Sequence, residues 1–215
     1  MRILDLATGT GANARAAARR GGLVAGVDRS RGMLAVAREL APEVEFRVAD
    51  ASALPFEPGT FDAVFCGLSL SHFANRKAVM REVLRVLRPG APFVASAWGK
   101  GSLFPTSSVD DLLERYPSAS AALDEETWLS PDRGKAELRR GGFAEVVVTR
   151  ESFRGRFTDP DEALGWWTAW PLTASKLALL DVHQRERFFC EARAVLRASD
   201  LSWRFAFNVY LSQKP

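Results

Sequence analysis

Five short apolar runs, separated by helix-forming or turn-rich segments, occupy the first 98 residues, and this order restricts the possible folds more than any other feature of the chain. The runs predict strands over residues 3–6, 23–27, 44–48, 61–66 and 92–98. Strands that alternate with helices form a parallel sheet covered by helices on both faces, and right-handed crossovers fix most of the topology. We therefore predict a doubly wound α/β fold.

The helices between these strands have recognisable ends. An Ala- and Arg-rich helix spans 13–20, and Ser30 is the predicted N-cap of a second helix. Residues 75–88 form a third, amphipathic helix that ends at Pro89-Gly90. Its predicted buried face consists of Val79, Met80, Val83, Leu84 and Leu87.

The second half of the chain is less regular. We expect a short helix near 109–115, a helix that starts at Pro131 and a strand over 146–153. Residues 158–198 are helical by pattern and rich in Trp and Phe, and residues 203–211 alternate as a last strand. A helical insertion between the last two strands is the simplest account.

Composition and charge exclude several classes of protein. The net charge is +3, and the arginines are scattered along predicted helix faces, which indicates a solvated surface rather than a nucleic-acid site. Only Cys66 and Cys190 are cysteines and only two residues are histidines, so we expect no disulfide framework and no metal site. No apolar run approaches the roughly 18 residues of a membrane span, and the first residues lack a secretory pattern. These features predict a cytoplasmic protein.

Glycines and acidic residues follow the first three strands, at the edge where ligands bind in open α/β sheets. Gly9 and Gly11 permit a sharp turn and a close approach of the backbone, and the amides of the next helix favour an anionic group. Asp28 can accept hydrogen bonds from both hydroxyls of a ribose. Asp50, beside the backbone amide of Ala51, can read an adenine edge. Together they predict a site for a nucleoside-containing cofactor.

The glycine loop alone allows two interpretations. Residues 9–14 fit G-x-G-x-x-A, the fingerprint of dinucleotide-binding proteins. A pyrophosphate-binding loop has little use for a carboxylate four residues before its first glycine, where Asp5 stands, whereas a ligand with an ammonium and a sulfonium does. The ordered set is more specific than any of its members, which are Asp5, Gly9, Gly11, Asp28 and Asp50.

Several segments of the first half resemble the motifs of a known family. They are residues 4–11 (LDLATGTG), 27–34 (VDRSRGML), 49–51 (ADA), 54–56 (LPF), 61–64 (FDAV) and 83–90 (VLRVLRPG). All are similar to motifs of class I S-adenosylmethionine-dependent methyltransferases, in particular the small-molecule enzymes of ubiquinone and menaquinone biosynthesis. The match covers residues 3–98, and beyond it only the order of elements agrees.

This resemblance implies a mostly parallel, seven-stranded, Rossmann-like sheet whose last strand is antiparallel, with a helical lid over about 158–198. It implies one methyltransferase domain over 1–215, in which 1–98 bind the cofactor and 99–215 form the substrate and lid half. The implied cofactor is S-adenosylmethionine, the implied product is S-adenosylhomocysteine, and no metal is implied.

The resemblance also implies roles for individual residues. The methionine end of the cofactor is assigned to the first loop, namely Asp5, Ala7, Thr8, Gly9, Thr10 and Gly11. The ribose and adenine are assigned to Asp28, Arg29, Met33, Asp50 and Ala51, and the segment beneath the sulfur is Cys66, Gly67 and Leu68. For Met33 the alternative is a position in the helix core. For Cys66 it is a small buried residue.

Three aromatic residues are candidates for the acceptor side. His72 follows Ser71 where the family often has paired histidines, and two roles are open: a general base for an acidic acceptor, or a residue that orients its loop, which we favour. Trp166 and Trp170 share a helical face and are candidate acceptor contacts. The alternative is that they pack the lid onto the sheet, together with Trp167.

The chain opens directly on its first strand, whereas a helical segment usually precedes that strand in the family. We expect from this that the sequence starts downstream of a longer reading frame. We also expect that the loop over 7–11 is more open to water than in the family.

The sequence thus predicts methyl transfer to a small-molecule acceptor by in-line displacement, which requires alignment and exclusion of water rather than a metal. Two alternatives remain. A nicotinamide-dependent oxidoreductase is disfavoured by Asp5 and Asp50, whereas a non-catalytic S-adenosylmethionine-binding protein is equally compatible with the motifs. A nucleic-acid methylase is disfavoured because residues 66–69 (CGLS) lack a Pro-Pro-aromatic signature.

Overall fold

A computed structural model describes residues 1–116 and 130–215 of the 215-residue chain. Its strands are β1 (Arg2–Leu6), β2 (Leu23–Asp28), β3 (Glu45–Val48), β4 (Ala63–Cys66), β5 (Pro92–Trp98), β6 (Ala144–Arg156) and β7 (Ser202–Gln213). Its α-helices are α1 (Ala12–Ala18), α2 (Arg31–Leu40), α3 (Arg76–Val86), α4 (Ser107–Leu113), α5 (Pro131–Arg140), α6 (Pro160–Thr168), α7 (Pro171–Ala178) and α8 (Val182–Arg197). A short 3-10 helix spans Leu70–His72.

The strands form one seven-stranded sheet in the order β3-β2-β1-β4-β5-β7-β6. From β3 to β5 in this order, each strand is parallel to the next. The last strand, β7, runs antiparallel to β5, with Pro92 opposite Gln213 and Trp98 opposite Phe207. The strand order reverses between β1 and β4, which makes their carboxyl ends the switch point where ligands bind. The predicted fold class is confirmed.

The described residues divide into two compact units. The first contains 1–100, 130–151 and 207–215, and the second contains 101–116 and 152–206. In the first unit, alternate strand residues point to opposite faces of the sheet and helices cover both. Leu4 and Leu6 belong to a buried cluster with residues of α3, such as Val83, whereas Ile3 clusters with residues of α2, such as Leu34.

The second unit has its own apolar core, built from α4, α6, α7 and α8. Trp167 is buried at its centre, stacks on Phe188 with ring centroids 5.6 Å apart, and donates a hydrogen bond from Nε1 to Asp110 at 2.8 Å. The segment predicted as helical over 158–198 therefore consists of three helices. Its role as a lid stays a prediction.

Most helix ends lie close to their predicted positions. The hydroxyl of Ser30 accepts a hydrogen bond from the Met33 N–H, and Asn75 caps α3 in the same way through Ala78. The first helix is Ala12–Ala18, shorter than the predicted 13–20. Part of the predicted irregular segment, residues 117–129, lies outside the described residues. None of the helices in 1–116 and 130–215 is long and apolar enough to span a membrane.

Candidate functional site

A cavity of about 280 Å³ opens in the first unit where β1, β2 and β3 end, and the loop after β4 completes its wall. Its polar and backbone lining comes from four separate segments, with Ala7 after β1, Asp28 and Arg29 at the tip of β2, Asp50, Ala51 and Ser52 after β3, and Ser69 and His72 after β4. The fold therefore brings the predicted strand-end residues of three strands to one place.

The side chain of Asp28 connects two backbone segments at this edge. One carboxylate oxygen accepts the Gly9 N–H at 2.9 Å, and the other accepts the Ser30 N–H at 2.9 Å. Asp28 is half-buried, and a carboxylate oxygen can accept more than one hydrogen bond. Each oxygen thus keeps acceptor capacity for a ligand hydroxyl.

The Asp5 carboxylate is buried beneath the glycine loop, with 1% of its surface exposed. Its Oδ2 accepts hydrogen bonds from the Thr8 hydroxyl at 2.5 Å and the Ala14 N–H at 2.9 Å, so it joins the loop to the start of α1. Its Oδ1 has no hydrogen-bond partner among the described residues. Burial raises the pKa of Asp5 to about 6, against the opposing effect of these two hydrogen bonds.

Two non-glycine residues at this edge adopt left-handed backbone conformations. Ala7, directly after β1, has φ = 54°, and Leu68, after β4, has the same value. Gly9 and Gly11 also have positive φ, at 56° and 79°, which explains why glycine is used there. Residues held in sparsely populated conformations cluster at functional sites, and Ala7 lines the cavity directly.

The acidic residue after β3 is held by its own loop. One Asp50 carboxylate oxygen accepts the Ser52 N–H at 2.7 Å and the Ser52 hydroxyl at 2.6 Å. These hydrogen bonds hold the pKa of Asp50 below its usual value, so Asp50 is ionised at neutral pH. Its position beside Ala51 is the one that the sequence predicted for an adenine-reading pair.

The segment after β4 divides between two cavities. His72 lies in the 3-10 helix and lines the first cavity, whereas Cys66 and Gly67 line a larger one of about 630 Å³ that follows one face of the sheet. Cys66 is buried, and burial raises the pKa of its thiol far above the usual range. The Leu68 N–H donates to the Ser96 hydroxyl at 2.9 Å.

The remaining predicted contacts lie elsewhere. In the glycine loop, Ala7 lines the cavity, whereas Thr8 and Gly11 are buried, Gly9 is half-buried and Thr10 is exposed, and these four are absent from the lining. Met33 is 42% exposed on α2 and is likewise absent from the lining. Trp166 and Trp170 belong to the second unit, where their ring centroids lie 5.3 Å apart and Trp166 stacks on Phe104 at 4.9 Å. The predicted shared helical face is wrong, because α6 ends at Thr168 and Trp170 is the N-cap of α7.

Comparisons with known proteins agree with this geometry. Residues 4–95 match the model of a methyltransferase domain family. A demethylmenaquinone methyltransferase of Clavibacter sepedonicus is 36% identical in an alignment of 162 positions that covers 67% of this chain and 66% of the relative. The same enzyme of Renibacterium salmoninarum is 36% identical over 108 residues, 50% of this chain and 46% of the relative. The crystal structure of YcgJ from Bacillus subtilis has the same fold, with a TM-score of 0.64 and 19% identity over 99% of this chain and 91% of that one.

The chain belongs to the class I S-adenosylmethionine-dependent methyltransferases. The matched region spans about half the length of the first curated relative that it matches. The family match ends at residue 95, so it covers the sheet edge described above and leaves out the second unit.

Several residues that line the cavity were missed by sequence reasoning. Ser52, Phe73 and Asn75 line the cavity but carry no motif of their own. A usable signal was their position just after a strand end or at a helix N-cap, since such positions face the carboxyl edge of the sheet. No group of three or more His, Cys, Asp or Glu residues able to hold a metal ion occurs within 1–116 and 130–215.

Proposed function

We propose that this methyltransferase binds S-adenosylmethionine in the cavity at the carboxyl ends of β1, β2 and β3. It then transfers the methyl group to a small-molecule acceptor. The observation that carries the proposal is the convergence of Asp28, Asp50 and Ala7 on one 280 Å³ cavity, with the Asp28 carboxylate also bound to the Gly9 N–H of the glycine loop. Ribose hydroxyls, an adenine amino group and two cationic centres are a matching set of partners for these groups.

Each end of the cofactor has its own partners in this proposal. The carboxylate oxygens of Asp28 accept the ribose hydroxyls, and Asp50 with the Ala51 N–H reads the adenine. The Asp5 Oδ1, which has no partner among the described residues, receives the ammonium of the methionine end, directly or through a water. A cation at that position also offsets the unfavourable burial of the Asp5 carboxylate.

The bound cofactor supplies a methyl group on a positively charged sulfur. In the reaction, a lone pair of the acceptor forms a bond to the methyl carbon while the carbon–sulfur bond breaks, which leaves S-adenosylhomocysteine. The acceptor loses a proton to water or to a base. The protein holds the reacting atoms in line and excludes water, so no covalent intermediate with the protein is required.

The acceptor side of the proposal involves His72 and two tryptophans. His72 lines the cavity and is exposed, which suits a group that orients its loop or removes the acceptor proton. Because the matched relatives are named demethylmenaquinone methyltransferases, we place quinols and phenols first among the acceptors. Trp166 and Trp170 are proposed as acceptor contacts.

Two measurements test the proposal. Thermal shift with S-adenosylmethionine, S-adenosylhomocysteine, NAD and NADP identifies the cofactor, and we expect stabilisation by the first two alone. Release of S-adenosylhomocysteine is then followed with a panel of quinols, phenols, amines and carboxylates. Stabilisation by a nicotinamide cofactor favours the oxidoreductase alternative. Binding of S-adenosylmethionine without turnover on any acceptor favours the non-catalytic one.

A further inference from the structure

Two charged side chains of α3, Arg85 and Glu82, form hydrogen bonds with the backbone of the loop that carries Asp50 and Ala51. The Arg85 guanidinium donates to the Phe56 carbonyl at 2.7 Å and to the Leu54 carbonyl at 2.9 Å. Glu82 accepts the Leu54 N–H at 2.7 Å. Three backbone groups within three residues of the loop are thereby bound by two side chains of one helix.

The two side chains also bind one another. Arg85 donates from Nε and from one terminal nitrogen to the two carboxylate oxygens of Glu82, at 2.7 and 2.8 Å. Such a two-pronged contact fixes the orientation of both groups. Both side chains are largely covered, at 34% and 19% exposure, so solvent competes with these bonds less than at an open surface.

Arg85 and Glu82 bind the loop that carries the proposed adenine contacts, but they lie outside the cavity. Neither Arg85 nor Glu82 lines the cavity, whereas Asp50, Ala51 and Ser52 do. Leu54 and Phe56 are buried, so packing and the hydrogen bonds to Arg85 and Glu82 fix the loop at its far end. At its near end, Asp50 forms hydrogen bonds with Ser52 and Ala53 of its own loop.

We propose that Arg85 and Glu82 are positioning residues for cofactor binding, which hold the 50–56 loop in its binding-competent form before the cofactor arrives. This inference rests on the proposed cofactor site. A loop that is already ordered loses no further conformational freedom when the cofactor binds. If part of the molecules held the loop in another conformation, the apparent affinity would fall in proportion to that part. Arg85 and Glu82 thus affect affinity and not the reacting atoms.

The test compares Arg85→Ala, Arg85→Lys and Glu82→Gln with Arg88→Ala as a matched control. Arg88 follows the end of α3 and pairs with Asp62 and the Gly59 carbonyl; among the described residues it has no hydrogen bond to 50–56. We measure the S-adenosylmethionine Kd by calorimetry well below each Tm, the exchange rate of the Leu54 amide, and kcat at saturating cofactor.

We expect Arg85→Ala to raise the Kd about tenfold, with kcat within about twofold of wild type. The Leu54 amide should exchange faster in the free protein, and saturating cofactor should restore its protection. Arg85→Lys should give a Kd between those of wild type and Arg85→Ala, because a single ammonium cannot form all the hydrogen bonds of the planar guanidinium. Glu82→Gln should also raise the Kd. Arg88→Ala should leave the Kd unchanged even if its Tm falls.

An unchanged Kd for Arg85→Ala, beside a weakened one for Asp28→Ala, overturns the positioning role. If Asp28→Ala also binds normally, the proposed cofactor site itself has failed. If Arg85→Ala does not fold, Arg85→Lys and Glu82→Gln decide the question, and normal Kd values in both overturn the inference.

Discussion

The Asp28 carboxylate accepts a hydrogen bond from the Gly9 N–H at 2.9 Å and so ties the glycine loop after β1 to the tip of β2. The same side chain accepts the Ser30 N–H at the start of α2. A residue expected only to contact a ribose therefore also shapes the loop beneath the other end of the proposed ligand.

We predict that Asp28→Ala weakens S-adenosylmethionine binding by about ten- to a hundredfold, since a hydrogen bond to a charged group contributes about 1.5–3 kcal/mol. Asp28→Asn keeps one acceptor oxygen and should lose less. The protein should stay folded because Asp28 is half-buried and water can replace it. Calorimetric titration measures the Kd. Asp161→Ala is the control, because Asp161 is an exposed acid that pairs with Arg193 and does not line the cavity. Equal affinities for all variants would remove Asp28 from the site.

Asp5 should make the stability of the protein depend on pH. Its folded pKa of about 6 lies above the ordinary 3.8, so the folded state binds more protons between these values. The stability contribution is fully present below about pH 4 and is lost as the pH rises through 6, by on the order of 3 kcal/mol.

Asp5→Asn removes this titration while its amide oxygen keeps the Thr8 and Ala14 contacts. The variant should therefore gain stability relative to wild type between pH 4 and pH 7, as measured by urea unfolding at both values. A difference in unfolding free energy that does not change with pH would contradict the raised pKa.

The parts of the fold that the sequence predicted are those with local signals. The five strands of the first half, the Ser30 cap and the amphipathic face of α3 depend on residues within one or two turns of each other. Side-chain contacts between distant segments carry no such signal. The bonds from Arg85 to Leu54 and Phe56 cross about thirty residues, and their existence depends on how the loop packs.

The same distinction applies to the site. Asp28 and Asp50 were predicted to meet because both follow strands of one parallel sheet, and both line the same cavity. Met33 was placed by its motif alone, and its exposed position on α2 depends on the rotation of that helix, which the motif does not encode.

Gly134 in α5 lies against the buried ring of Tyr210, and a Cβ at this position would overlap that ring. Tyr210 cannot move freely, because its side chain is fully buried and its hydroxyl donates to the Ser130 carbonyl at 3.2 Å. We expect Gly134→Ala to lower the unfolding free energy by about 1–3 kcal/mol.

The control is Gly165→Ala in α6, where a Cβ meets nothing within 4 Å. That change should stabilise by about 0.5–1 kcal/mol. Chemical denaturation measures both, and two changes of the same sign would refute the overlap.

The two cysteines should differ sharply in reactivity. Cys66 is buried at 1% exposure and its thiol pKa is raised by burial, whereas Cys190 is exposed on α8. Because the thiolate is the reactive form, an aromatic disulfide reagent should modify one thiol quickly in the folded protein and both after denaturation. Cys190→Ser should abolish the fast phase. A fast phase that survives this change would mean that Cys66 is accessible.

We expect a change at Trp170 to affect binding of the acceptor and not of the cofactor. It is half-buried at the N-cap of α7, with its ring centroid 5.3 Å from that of Trp166, and a large apolar ring there suits an apolar acceptor. Trp170→Leu should raise the acceptor KM at least several-fold and leave the S-adenosylmethionine Kd unchanged. Trp167→Phe is the contrasting variant, since Trp167 is buried and bonded to Asp110; it should lower the Tm and leave the acceptor KM near wild type. If Trp170→Leu lowers the Tm as Trp167→Phe does, with no change in KM, Trp170 is a packing residue and the acceptor lies elsewhere.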